Sequence, residues 1–110
     1  GGNIGWDTFL LAKYGYNIIT FEPSKINYYI LNKNYCLNKD VNITIINKGL
    51  FPEEKKCYIY SSKNNIGNGM INCNGKIAKN KINNGEIILT KFRNYISFFE
   101  IIKYFSFYDL

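Results

Sequence analysis

Histidine is absent from this 110-residue chain, tryptophan and methionine occur once each, and proline only twice. Without histidine, neither a His-bearing zinc site nor a Cys–His or Ser–His nucleophilic pair can be built. Arginine is nearly missing as well. The cations are 13 lysines and Arg93, scattered in ones and twos among asparagines, so the net charge of +6 forms no tight basic cluster and nucleic acid is not an expected partner. No apolar run is long enough to span a bilayer, and the first residues lack a charged segment followed by an apolar one. No membrane segment is therefore expected in the chain. Cysteine is scarce and odd in number: Cys36, Cys57 and Cys73 show no CxxC spacing. They read as reduced thiols packed as small hydrophobes, with the cytoplasm as default compartment.

What is present is a globular composition, 46% hydrophobic and 17% aromatic, over a length that supports one compact core and one domain, 1–110. The texture alternates. After "GGNIGW", the apolar residues of "DTFLLAKYG" predict a short helix from Thr8 to Tyr14, with Gly15 at its C-terminus. "YNIITFE", β-branched and aromatic and stopped by Pro23, predicts a strand. Ser24 can cap a following amphipathic helix, "KINYYILNKNYCLN", and "DVNITIINKGL" predicts a second strand. Helix, strand, helix, strand is the order of a doubly wound α/β fold with a parallel sheet, in which ligands bind at the carboxyl ends of the strands.

From residue 53 the pattern changes. "KCYIYSS" and "EIILTKF" predict two strands of a hairpin-like insertion, and the Asn/Gly/Lys-rich stretch 62–84 between them predicts a flexible loop. The tail "NYISFFEIIKYFSFYDL" fits a helix through Phe98–Phe105 or a buried strand, its length favouring helix. Glu53 and Glu54 read as solvated turn residues.

The opening carries the chemistry. Gly1, Gly2 and Gly5 let backbone approach a ligand closely, and Asn3 adds a hydrogen-bonding side chain. Glu22 ends the next strand, 17 positions after Gly5. A carboxylate there suits a ribose, because it can accept from both vicinal hydroxyls at once.

The residues "GGNIGWDT", "FEP" and the Asn ending "IIN", in that order, resemble the FkbM-type family of S-adenosylmethionine-dependent methyltransferases. The match covers Gly1 to Leu50, with a weaker echo in "EIILTKFRNYI". The resemblance implies an incomplete Rossmann-like methyltransferase sheet with S-adenosylmethionine as cofactor. It places Gly1, Gly2, Asn3 and Gly5 along the methionine and ribose of the cofactor, Glu22 on the ribose hydroxyls, and Asn47 beside the adenine. It further implies methyl transfer, typically to oxygen, on a small-molecule or glycan-like acceptor. The chain departs from the family pattern at three points. An acid and a strand ahead of Gly1 are missing, Phe92, Arg93 and Asn94 replace a leucine and two acids, and a later K-I-D-hydrophobic-E-G strand is not found. These departures predict a chain that starts inside the first motif, as a fragment or incomplete gene product would. Two competing readings follow, a degenerate cofactor-binding remnant without catalysis and a dinucleotide-binding oxidoreductase fragment. Neither the acceptor nor the oligomeric state is written in these residues.

Overall fold

The computed structural model describes residues 1–76 and 79–95. Its first half is an alternation of helix and strand: α1 (Trp6–Lys13), β1 (Ile18–Phe21), α2 (Lys25–Leu37) and β2 (Ile43–Ile46). The second half is strand-rich: β3 (Gly49–Leu50), β4 (Lys55–Ser62), β5 (Asn65–Asn72), β6 (Lys81–Thr90) and a 3₁₀ turn, Phe92–Asn94.

Local signals explain the helices. Gly5, in a left-handed conformation at φ 105°, starts α1, and its carbonyl accepts the Phe9 N–H at 2.9 Å. Asp7 in the first turn and Lys13 in the last complement the helix dipole. The helix stops where the Gly15 N–H, at φ 95°, reaches back to the Ala12 carbonyl. Ser24 caps α2, its hydroxyl accepting the Asn27 N–H at 3.4 Å. One side chain of α2, Leu31, is completely buried, and it pins the helix to the first half of the fold.

β1 and β2 pair in parallel, Ile18 against Ile43 through Phe21 against Ile46, with α2 as the crossover between them. Only Asn47 and Lys48 separate β2 from β3, so the chain steps from this two-stranded sheet into a four-stranded one of order β3-β6-β4-β5. Among the described residues the fold is mixed α/β, two α-helices with a parallel two-stranded sheet and a mixed four-stranded one. The core of the larger sheet is Cys57, Ile59, Ile87 and Leu89, with Cys73 packed against it.

Three expectations require correction. The doubly wound parallel sheet extends, among the described residues, no further than β1–β2 and the two-residue β3–β6 contact, while β4 runs antiparallel to β6, as the expected hairpin-like pair, and to β5 as well. The two-residue link Lys63–Asn64 between β4 and β5 dictates this, since only antiparallel neighbours can be joined so tightly. The stretch 62–84, expected as loop, holds β5 and the start of β6. Its asparagines look like loop residues but bond locally: Asn72 donates to the Lys76 carbonyl, and Asn83 accepts the N–H of Gly85. Lastly, Cys57 and Cys73 form a disulfide, and Cys36 is exposed, so the reading of three reduced, buried thiols fails. The register that pairs Tyr58 with Asn72 sets Cys73 opposite Cys57, a juxtaposition that a loop over 62–84 would not impose. The helix expected at Phe98–Phe105 lies outside the described residues.

Candidate functional site

The carboxyl ends of β1 and β2 are bound together by backbone and side-chain hydrogen bonds that converge on Glu22. Its N–H continues the ladder to the Ile46 carbonyl at 3.0 Å. Its carboxylate is nearly buried, 6% exposed, and accepts two backbone N–H groups: Asn3 on Oε2 at 2.6 Å and Ser24 on Oε1 at 2.9 Å. The first bond, with that from the Gly2 N–H to the Phe21 carbonyl at 2.8 Å, folds the opening turn over the end of β1. The second fixes the entry to α2. Asn47 completes the arrangement by donating its carboxamide N–H₂ to the Glu22 carbonyl at 2.8 Å and the Pro23 carbonyl at 3.3 Å.

Gly1, Gly2, Asn3, Glu22 and Asn47 are thus brought together. Gly5 joins that group through its backbone, its N–H donating to the Gly2 carbonyl at 2.8 Å. A Cβ on Gly5 would lie 2.5 Å from Leu31 and 2.6 Å from Phe9, and one on Gly2 would lie 2.5 Å from the Thr20 hydroxyl. Both glycines are therefore required by packing against the protein's own side chains. Gly1 differs. A Cβ there would meet Glu22 Oε2 only at 3.6 Å, so the absence of a side chain leaves that flank of the carboxylate open. Asn47 differs from its expected role too, since it grips the backbone of the Glu22–Pro23 step.

A second group gathers around Phe21, the residue before Glu22. The Phe21 ring packs edge-on against Tyr95 at 5.5 Å between centroids and tilted against Phe92 at 6.3 Å. The Lys48 ammonium stands 5.4 Å above the Tyr95 ring. The hydrogen bond with Tyr95, helped by the charges of Tyr95 and Glu54 and opposed by partial desolvation, raises the Lys48 pKa above its ordinary value. Nearby, Glu54 Oε1 accepts from the buried Thr90 hydroxyl at 3.1 Å and from Asn94 at 2.7 Å. The sequence reading missed these partnerships. The aromatic run "KFRNY" was the available signal for the first, and nothing in the spacing of Glu54 from Thr90 pointed to the second.

No protein-family model, curated protein or solved structure matches the chain. What the site can do follows from its donors and acceptors. A carboxylate offers about four lone-pair positions, of which Glu22 uses two on backbone N–H groups. The remainder can accept hydroxyl hydrogens, and the approach runs past Gly1. A cleft of about 500 Å³ reaches Gly1, Phe21 and Pro23, the neighbours of the carboxylate, without being lined by Glu22 itself, and is walled by Thr8, Leu11 and Leu50. Among the described residues no group of three or more acidic or sulfur side chains could hold a metal ion.

Proposed function

We propose that the chain is a Rossmann-like, FkbM-type methyltransferase unit that binds S-adenosylmethionine at the carboxyl end of β1, with the ribose hydroxyls on Glu22. The observation that carries this reading is the Glu22 carboxylate. It is held by the Asn3 and Ser24 N–H groups beneath a glycine turn, at the end of the first strand of a parallel β–α–β unit. Such strand ends are where α/β folds receive nucleotide-like ligands.

The residues present fit the group in chemistry. Glu22 retains acceptor capacity, Gly1 leaves its flank clear, and the exposed Asn3 sits on the same turn. Gly2 and Gly5 contribute by shaping that turn, and Asn47 by fixing the backbone that presents the carboxylate. S-adenosylmethionine, when bound, supplies an electrophilic methyl group for in-line displacement by an oxygen of a small-molecule or glycan-like acceptor. The chain's own part is positioning, which alone accounts for several kcal/mol of such a barrier. No side chain is assigned as acid, base or nucleophile.

One observation favours a second reading, binding without transfer. Asn94 stands where the resemblance puts an acid, and its amide is engaged by Glu54 and Thr90. Titration calorimetry of the chain with S-adenosylmethionine tests the binding, repeated on Gly1→Ala and Glu22→Gln and with a nicotinamide dinucleotide as competitor. Saturable binding that weakens in both variants and ignores the dinucleotide is expected. A folded chain that takes up no S-adenosylmethionine, or prefers the dinucleotide, refutes the proposal. Methyl transfer from labelled cofactor to an acceptor panel then separates the two readings.

A further inference from the structure

The outer sides of α1 and α2 carry large apolar residues that the fold leaves uncovered. On α1 and its C-terminal cap, Trp6, Leu10 and Tyr14 follow at four-residue steps and so form one ridge, with Trp6 83% and Tyr14 76% exposed. On α2, Tyr29, Lys33 and Leu37 form a second ridge in the same way, Leu37 being 82% exposed, and Ile26 and Ile30 lie exposed beside it. Leu31, at the centre of the helix's inner side, is fully buried, so α2 is apolar on both faces.

The two ridges adjoin. Ile4, Trp6, Leu10 and Lys13 share one depression of about 310 Å³ with Asn34 and Asn38 of α2, and the Asn34 side chain donates to the Ile4 carbonyl at 2.9 Å. Leu37 sits about 60° round α2 from Asn34, on the side leading from that depression to the outer ridge. The result is a cluster of exposed apolar side chains around one depression, interrupted by Asn34 and Asn38 and denser than the scattered exposure normal for a soluble protein.

Its charge is predominantly positive. Lys13 lines the depression, and Lys33 stands in the middle of the α2 ridge with its ammonium 4.9 Å from the Tyr29 ring. Lys25 and Lys39 are exposed at and just beyond the ends of the same helix. Of the acids nearby, Asp7 is exposed between the Leu10–Tyr14 edge of the ridge and the cleft along α1, and Asp40 lies in the turn after α2. We propose that this surface docks on an anionic lipid bilayer, lying in the headgroup region without crossing it. Trp and Tyr are the residues that partition into that region, lysines reach from there to lipid phosphates, and a net charge of +6 draws the chain towards a negative leaflet. A second copy of the chain is a poorer occupant, because pairing would bring Lys33 and the same net positive charge together.

Trp6, the sole tryptophan, is its own reporter. The full chain is floated with vesicles of phosphatidylcholine alone and with roughly 30% phosphatidylserine added, enough to give a strong negative surface potential, while Trp6 emission is recorded. Expected are co-flotation and a blue shift with the anionic vesicles only. Partition should fall about thirtyfold in Lys13→Gln/Lys33→Gln, in keeping with the attraction per surface lysine, and below detection in Leu10→Asp/Leu37→Asp. All four positions are exposed, and circular dichroism confirms that the variants are folded. Unchanged emission with the chain left at the bottom of the gradient overturns the proposal. So does equal binding to neutral vesicles, or a blue shift that grows with protein concentration without lipid, which would assign the surface to a second copy.

Discussion

Replacing Glu22 measures how far the candidate site is also a structural clamp. Its carboxylate accepts from Asn3 and Ser24 while almost fully buried, and hydrogen bonds to a charged group contribute about 1.5–3 kcal/mol each. Glu22→Ala loses both and strands two N–H groups, but it also removes the cost of burying a charge. The net loss of stability should be about 2–4 kcal/mol. Glu22→Gln keeps one carbonyl acceptor and turns its N–H₂ towards the other N–H, a donor facing a donor, so about half that loss is expected. Urea unfolding followed by far-ultraviolet circular dichroism reads both. With a slope of about 1 kcal/mol per molar for a chain this small, the midpoint for Glu22→Ala should fall by about 2 M or more. Midpoints within about 0.5 M of the parent for both variants would refute the clamp. Glu22 would then be held in place by its surroundings rather than holding them.

Other perturbations separate packing from backbone conformation. Gly5→Ala forces a Cβ to within 2.6 Å of both Leu31 and Phe9 at φ 105° and should destabilise by about 2–4 kcal/mol. Gly15→Ala, at φ 95° with open space around it, should cost only about 1 kcal/mol in the same assay. Removing the disulfide with Cys57→Ser/Cys73→Ser frees a loop of 16 residues and should lower stability by about 3 kcal/mol, and mass spectrometry of the unreduced parent should show one free thiol, Cys36. The raised Lys48 pKa gives a signed pH dependence. Its contribution is complete below the ordinary lysine value of 10.5 and is lost as pH rises through the folded value, so the melting-temperature gap between the parent and Lys48→Met should narrow above pH 10.5.

The first half of the fold was legible because its signals are local. Gly15 ends α1, Pro23 ends the first strand segment and Ser24 caps α2, each within a turn of the boundary it sets. The convergence of the opening turn, Glu22 and Asn47 was legible for the same reason, since strand ends in a β–α–β unit lie together whatever the intervening residues. The second half was legible in part: "KCYIYSS" and "EIILTKF" mark β4 and the later part of β6, and β5 between them was missed. Its strands are specified by partners: Asn65–Asn72 is polar and glycine-bearing, yet becomes β5 because β4 lies alongside and Cys73 is fixed to Cys57. The contact of Phe21 with Tyr95 joins residues more than 70 positions apart, and no short-range pattern reports such a meeting. Composition misled where asparagine satisfied backbone groups inside a sheet.

The staple between Cys57 and Cys73 also affects the route by which the chain assembles. Pairing of β3 with β6 requires Gly49 to find Leu89, the closure of a loop of about 40 residues. The disulfide lies wholly within that loop and short-circuits it to about 24 residues. Closure entropy then falls by about 0.5 kcal/mol, equivalent to a roughly twofold faster search. An oxidised chain therefore meets its most distant strand pairing with part of the path already folded away, whereas a reduced chain must search the full length.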